Sequence, residues 1–176
     1  MASSRVDTAM IVADMLQSIS AKWVLDCTYG VGRFYKFYRP KILVGIDPHI
    51  YPDDQYIVKP DILIPRPVWS AKKILEALNM KFDVAVVDPP FRERPRGYDK
   101  RLYYYNLFGS PELIIEKSFE LAKNLGIPHL LLHFHTTKNH EEWTPIKTVE
   151  YEYKQGYLQT HSYFILYEFR KEFGGP

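Results

Sequence analysis

The sequence has one cysteine, Cys27, so no internal disulfide can form, and a reducing compartment is expected. It has no apolar run long enough to cross a bilayer. Met1-Ala2-Ser3-Ser4-Arg5 carries no apolar segment of the signal-peptide kind. These absences predict a cytoplasmic protein with no membrane partner. Charge of one sign is also missing. The formal net charge is +2, so any attraction to a polyanion must come from a local patch. There is no internal repeat and no low-complexity linker. Glycine is sparse, at 9 residues, yet two of them stand together in Gly30-Val31-Gly32. A third at position 35 would complete a dinucleotide fingerprint, but Tyr35 stands there. The Gly-Lys-Ser/Thr of a phosphate loop is absent too. A nicotinamide or flavin dehydrogenase is therefore disfavoured.

What is present is a globular composition, 46% hydrophobic and 25% charged, over 176 residues. That length predicts one domain, 1–176, with a single core. Aromatics reach 15%, more than a core of this size needs, so some rings belong at its edge or at a binding surface.

Ser4 to Asp7 reads as a capping box that opens a well-buried helix to about Ser20. Trp23 to Leu25 reads as a strand running into Asp26-Cys27-Thr28-Tyr29-Gly30-Val31-Gly32, with a short helix from Arg33 to Phe37. A second strand spans 42–46 and ends in Asp47-Pro48. Gln55 to Val58 reads as a weak third strand ending near Asp61. Val68 to Asn79 reads as a helix with Ala71, Ile74, Leu75 and Leu78 on one face.

A further strand, 83–87, stops at Asp88-Pro89-Pro90-Phe91, because proline cannot donate to a ladder. Ser110 with Pro111 opens another helix, and Gly126 closes it. Pro128 to His133 is a strand. Residues 147–153 and 157–169 form an antiparallel hairpin. The order predicts an α/β Rossmann-like sheet, mostly parallel, with an antiparallel C-terminal hairpin and helices on both faces. Asp26 to Gly32, Asp47, Asp61 and Asp88 to Phe91 then lie at carboxyl ends of strands, where such sheets bind ligands.

The chemistry of those ends is specific. Asp26 is a poor neighbour for a pyrophosphate and a good one for an ammonium. Asp47 can accept both hydrogens of a ribose diol. Asp88, the Pro89 carbonyl and the Phe91 ring suit a planar group with an exocyclic amine. After them, Arg92, Arg94, Arg96, Lys100 and Arg101 stand against Glu93 and Asp99, five minus two, a local +3. Tyr98 and Tyr103 to Tyr105 are interleaved with them. That mixture suits a nucleic-acid backbone and unstacked bases. His133 and His135 share a strand face, but no completed metal-ligand set accompanies them, so no metal is expected. The hairpin tyrosines read as sheet-face packing.

Asp26-x-Thr28-Tyr29-Gly30-x-Gly32, Asp47, Asp61 and Asp88-Pro89-Pro90-Phe91 resemble motifs I to IV of class I S-adenosylmethionine-dependent amino-methyltransferases. The likeness is greatest to the N6-adenine DNA/RNA methyltransferases with an Asp-Pro-Pro-aromatic motif. It spans about residues 23–91. It implies S-adenosylmethionine as cofactor, with Asp26, Cys27, Thr28, Tyr29, Gly30 and Gly32 at its methionine part. Asp47 and Pro48 would lie at its ribose, and Asp61 with Ile62 at its adenine. Asp88, Pro89, Pro90 and Phe91 would hold the acceptor amine, most simply adenine N6 in DNA, with a flipped base on Phe91. Arg92, Arg94, Arg96, Tyr98, Lys100 and Arg101 would bind the nucleic acid. No separate target-recognition domain is expected within residues 1–176, and a protein partner supplying recognition is an accompanying expectation. Asp88 to Arg92 also resembles the ribosomal RNA guanine-N2 methyltransferases, which keeps an RNA substrate open. A non-catalytic cofactor-binding partner subunit is a further alternative.

Overall fold

The computed structural model describes residues 7–90, 110–155 and 158–173. Helix α1 (Thr8–Ser18) begins at Asp7, whose carboxylate accepts from Ala9 N at 3.0 Å. The predicted cap three residues earlier is replaced by this aspartate, which satisfies an orphan donor of the first turn. Asp7 also pairs with Lys36.

Strands β1 (Trp23–Asp26), β2 (Ile42–Ile46), β3 (Ile62–Ile64), β4 (Val84–Val87) and β5 (His129–Phe134) run parallel. Strands β6 (Trp143–Gln155) and β7 (Leu158–Phe169) form the antiparallel hairpin. Helix α2 is Lys72–Leu78 and α3 is Pro111–Asn124. Among the described residues the sheet order is β3-β2-β1-β4-β5-β7-β6. This is the expected Rossmann-like sheet.

The central strands are covered on both faces, which is why their sequences read as unbroken apolar runs. Leu25, Val44, Ala85, Val87, Leu130 and Leu132 pack toward Ile114, Ile115 and Phe119 of α3 and Leu75 of α2. Val24, Leu43, Val84, Val86 and Leu131 pack toward Val12, Met15 and Leu16 of α1. Burying one such Leu or Val contributes about 1.5–3 kcal/mol.

Three expected elements differ. Gln55–Val58 is no strand. Asp53–Gln55 is a 3-10 turn, and Ile57 N and Val58 N donate to Val31 O, so this stretch braces the glycine loop instead. The third strand is the three-residue β3, too short to show a period. The helix expected from Val68 begins as a 3-10 turn, Val68–Ser70. Its expected face is half right: Ala71 and Leu75 are buried, whereas Ile74 and Leu78 are exposed. Asn79 closes it in the left-handed conformation at φ 49°.

The hairpin matters for position. Strand β7 pairs with β5 from Tyr163 to Glu168, and Phe134 at the carboxyl end of β5 faces Tyr163. Residues 158–162 therefore run past the carboxyl edge of the parallel strands.

Candidate active site

The carboxyl edge gathers three acids. Asp26 ends β1, Asp47 follows β2 and Asp88 follows β4. Asp26 and Asp47 are buried, whereas the Asp88 side chain is 36% exposed and so within reach of a ligand. Burial pushes the Asp26 carboxyl up to about 7. Hydrogen bonds from Tyr35 and Thr28 oppose that rise, and the charges of Asp88 and Asp47 add to it. The three carboxylates therefore lie close enough for the charges of Asp47 and Asp88 to oppose the ionisation of Asp26.

The loop after β1 is shaped around these acids. Thr28 N donates to Asp26 Oδ1 at 2.8 Å, and Tyr35 Oη donates to Asp26 Oδ2 at 2.6 Å. Gly30 and Gly32 take φ values of 58° and 76°, a region that L side chains avoid. A Cβ on Gly32 would also stand 2.1 Å from Val58 O. Gly30 N donates to Asp47 Oδ2 at 2.7 Å, and His49 N donates to Asp47 Oδ1 at 2.8 Å. Asp47, expected at a ribose diol, thus has a second task, fastening the glycine loop to the loop after β2.

Tyr29 turns inward. Its ring lies flat against Tyr35, with centroids 5.9 Å apart, and its hydroxyl donates to Val58 O at 2.5 Å. It is a wall of the loop rather than a surface group. Cys27 is buried too, and burial pushes its thiol up to about 12, so it stays protonated and packs.

Cys27, Thr28, Pro48, Pro67, Val68 and Trp69 line a narrow cleft beyond β1, β2 and β3. Pro48 is one of these residues. Asp61 sits at the amino end of β3, where its Oδ2 accepts from Leu43 N at 2.7 Å and its Oδ1 pairs with Arg39 at 3.0 Å. Leu43 is four residues before Asp47, so Asp61 lies about 13 Å back along the sheet. Ile62 opens the same strand and packs against the core. The expected place of Asp61 at the carboxyl end of a strand is corrected by this: Asp61 precedes β3 and Ile62 opens it. Pro67, Val68 and Trp69 follow the true carboxyl end of β3 and line the cleft. The signal in the sequence is the Pro65-Arg66-Pro67 stop.

The acceptor side begins at Asp88. Its backbone N donates to Thr28 Oγ1 at 2.6 Å, which ties the Asp-Pro-Pro turn to the glycine loop. Asp88 Oδ1 lies 2.8 Å from His133 Nδ1, and His133 Nε2 lies 2.9 Å from Ser162 Oγ. The His133 ring stacks on Phe164 with centroids 3.9 Å apart. Serine, histidine and aspartate in a row resemble a hydrolase triad in composition. However, Ser162 has no exposed surface, so it cannot reach a substrate. His133 could have been anticipated, since parallel β4 and β5 set Val87 against Leu132 and hence Asp88 beside His133. Ser162 carries no such signal, because nothing in the sequence fixes the register of β7 on β5. His135 lies beyond the end of β5, beside Phe134, and is exposed. Pro89 is buried and Pro90 partly so. Phe91, Arg92, Arg94, Arg96, Tyr98, Lys100 and Arg101 lie outside the described residues.

No protein-family model matches the chain, and no curated protein matches it. Solved structures do. A protein from Pyrococcus horikoshii, provisionally described as an RNA methyltransferase, aligns with a TM-score of 0.56 at 12% identity. That alignment covers 92% of this chain and 84% of that one. The methyltransferase domain of bacterial CtHen1 aligns with a TM-score of 0.53 at 11% identity, covering 92% and 97%. A Haemophilus influenzae protein provisionally described as a methylase aligns with a TM-score of 0.50 at 17% identity, covering 93% and 89%. The chain therefore has the fold of the Rossmann-like methyltransferases.

Proposed function

We propose that this protein transfers a methyl group from S-adenosylmethionine to the exocyclic amine of a nucleobase, adenine N6 in DNA being the first candidate. The observation that carries the reading is the convergence of Asp26, Asp47 and Asp88 on one edge of the sheet. An anionic pyrophosphate would meet three carboxylates there. A ligand with an ammonium and a sulfonium would be attracted by them.

The residues present fit that cofactor. Asp26 and the loop Gly30-Val31-Gly32 would hold its amino-acid end. Asp47 would lie at its diol, and the cleft walled by Pro48, Val68 and Trp69 would take its base. When bound, the cofactor supplies an electrophilic methyl group on sulfur. The protein's part is alignment and charge. Asp88 and the Pro89 carbonyl can accept the two N–H bonds of a primary amine. Both acceptors strengthen as the nitrogen becomes tetrahedral and positive. Asp88 need not remove the proton before transfer, since an alkylated ammonium loses it readily. Methyl transfer to nucleic acid draws support from the fold shared with a protein described as an RNA methyltransferase. That likeness favours RNA, with guanine N2 or adenine N6 as acceptor, as the second reading.

The test is transfer of labelled methyl to DNA and to RNA, followed by digestion to nucleosides. N6-methyladenine from DNA is the expected product. N2-methylguanine or N6-methyladenine from RNA would select the second reading. Asp88→Ala should abolish incorporation while cofactor binding persists. Binding with no label in either polymer would remove nucleic acid from the proposal.

A further inference from the structure

We infer that His133 is a positioning residue, which fixes the Asp88 carboxylate so that one defined oxygen meets the acceptor amine. The inference rests on the reading of Asp88 as the amine's acceptor. An ionised carboxylate can only accept, so the 2.8 Å contact with Asp88 Oδ1 requires a hydrogen on His133 Nδ1. In the neutral ring, Nε2 then accepts, and Ser162 Oγ at 2.9 Å is its donor. Ser162 is fully buried, so water does not compete for this hydroxyl. The ring cannot swing either. Phe164 lies parallel to it at 3.9 Å, and Phe34 meets it at 65° with centroids 6.0 Å apart.

The result is a chain from a buried hydroxyl on β7, through a clamped ring on β5, to an accessible carboxylate beyond β4. An aspartate on a turn has two side-chain torsions to explore. Engaging Oδ1 restricts that freedom and leaves Oδ2 as the oxygen for the acceptor. Together with the Pro89 carbonyl, this gives two fixed acceptors for two hydrogens, which favours a primary amine over a hydroxyl or a ring nitrogen. The serine and histidine both come from elements outside the resemblance over residues 23–91.

The experiment compares His133→Phe with His133→Asn. Phenylalanine keeps the stacked ring and removes the donor. Asparagine places an amide N–H where Nδ1 stands. His133→Phe should lower kcat for methyl transfer about 100-fold, with cofactor affinity close to wild type and a lower melting temperature because the buried Ser162 hydroxyl loses its acceptor. His133→Asn should recover most of that loss, which a merely structural role would not predict. A His133→Phe enzyme within about threefold of wild-type kcat overturns the inference. If that variant fails to fold, the wild-type Nδ1 proton decides by NMR. Its presence, with its resonance moved in Asp88→Ala, upholds the inference, and an Nδ1 without a proton overturns it. Full activity in Asp88→Ala would overturn both this inference and the reading of the site, whereas loss in Asp88→Ala alone would overturn the inference only.

Discussion

Asp88 N donates to Thr28 Oγ1 at 2.6 Å, across 60 residues of sequence. The Thr28 hydroxyl lies 3.5 Å from Asp26 Oδ1 in turn. One threonine therefore joins the strand end that would hold the cofactor's cationic part to the turn that would hold the amine. In a methyl-transfer site those two halves must meet at a fixed distance, and here the distance is set by backbone and a buried side chain.

Thr28→Val keeps the shape and removes the acceptor. It leaves Asp88 N without that partner, a loss of about 1–3 kcal/mol. The melting temperature should fall by about 2–4 °C per kcal/mol for a chain of this size. Methyl transfer should fall further than stability, since the turn loses its register. Thr28→Ser keeps the hydroxyl and should stay near wild type. Thermal unfolding and initial rates check both variants.

Asp26 makes binding depend on pH. Its carboxyl is pushed up to about 7, chiefly by burial, so the folded protein without ligand holds a proton that the unfolded chain has lost. The stability tied to this proton is fully present below the ordinary value of 3.8 and is lost as pH rises through about 7. A cationic ligand reverses the preference, because it favours the ionised form. S-adenosylmethionine affinity should therefore rise about tenfold per pH unit below pH 7 and level off above it. Asp26→Asn should bind weakly and lose that slope. Calorimetric titration from pH 5.5 to 8.5 measures it.

Sequence makes Asp26, Asp47 and Asp88 legible because each follows an apolar run long enough to read as a strand and precedes residues that stop one. It hides Asp61's true place because β3 has three residues, too few for any period, and Asp61 precedes them. The brace formed by Ile57 and Val58 on Val31 is hidden for another reason: a β-branched, apolar stretch that reads as a strand is used here as a loop wall. The hydrogen bonds from His133 depend on strand order and on the register of a hairpin that returns from far along the chain. Neither is a local property.

Gly45 sits in β2 with Tyr29 pressed on it. A Cβ there would stand 2.5 Å from Tyr29 Cγ and 2.7 Å from Cδ2. The ring has little room to retreat, since Tyr35 stacks behind it and Val58 O holds its hydroxyl. Gly45→Ala should cost about 1–3 kcal/mol by overpacking and shift the glycine loop enough to weaken cofactor binding. In a Tyr29→Ala background the same change should cost less, because the clashing Cγ and Cδ2 are gone. A double-mutant cycle on unfolding free energies would show that coupling.

Asp61 and Trp69 separate the two ends of the sheet. Asp61 fastens the amino end, through Leu43 N and Arg39, so Asp61→Ala should lower stability by about 1 kcal/mol and leave cofactor affinity unchanged. Trp69 lines the cleft at the carboxyl end and is 40% exposed, so its truncation removes little from the core. If its ring flanks the cofactor's base, Trp69→Ala loses about 0.5–1.5 kcal/mol of stacking, a rise in Kd of about two- to twelvefold. Its melting temperature should hardly move. The two variants should thus show opposite patterns in unfolding and in binding. Weakened binding in Asp61→Ala with unchanged binding in Trp69→Ala would return the base to the amino end and contradict the cleft's assignment.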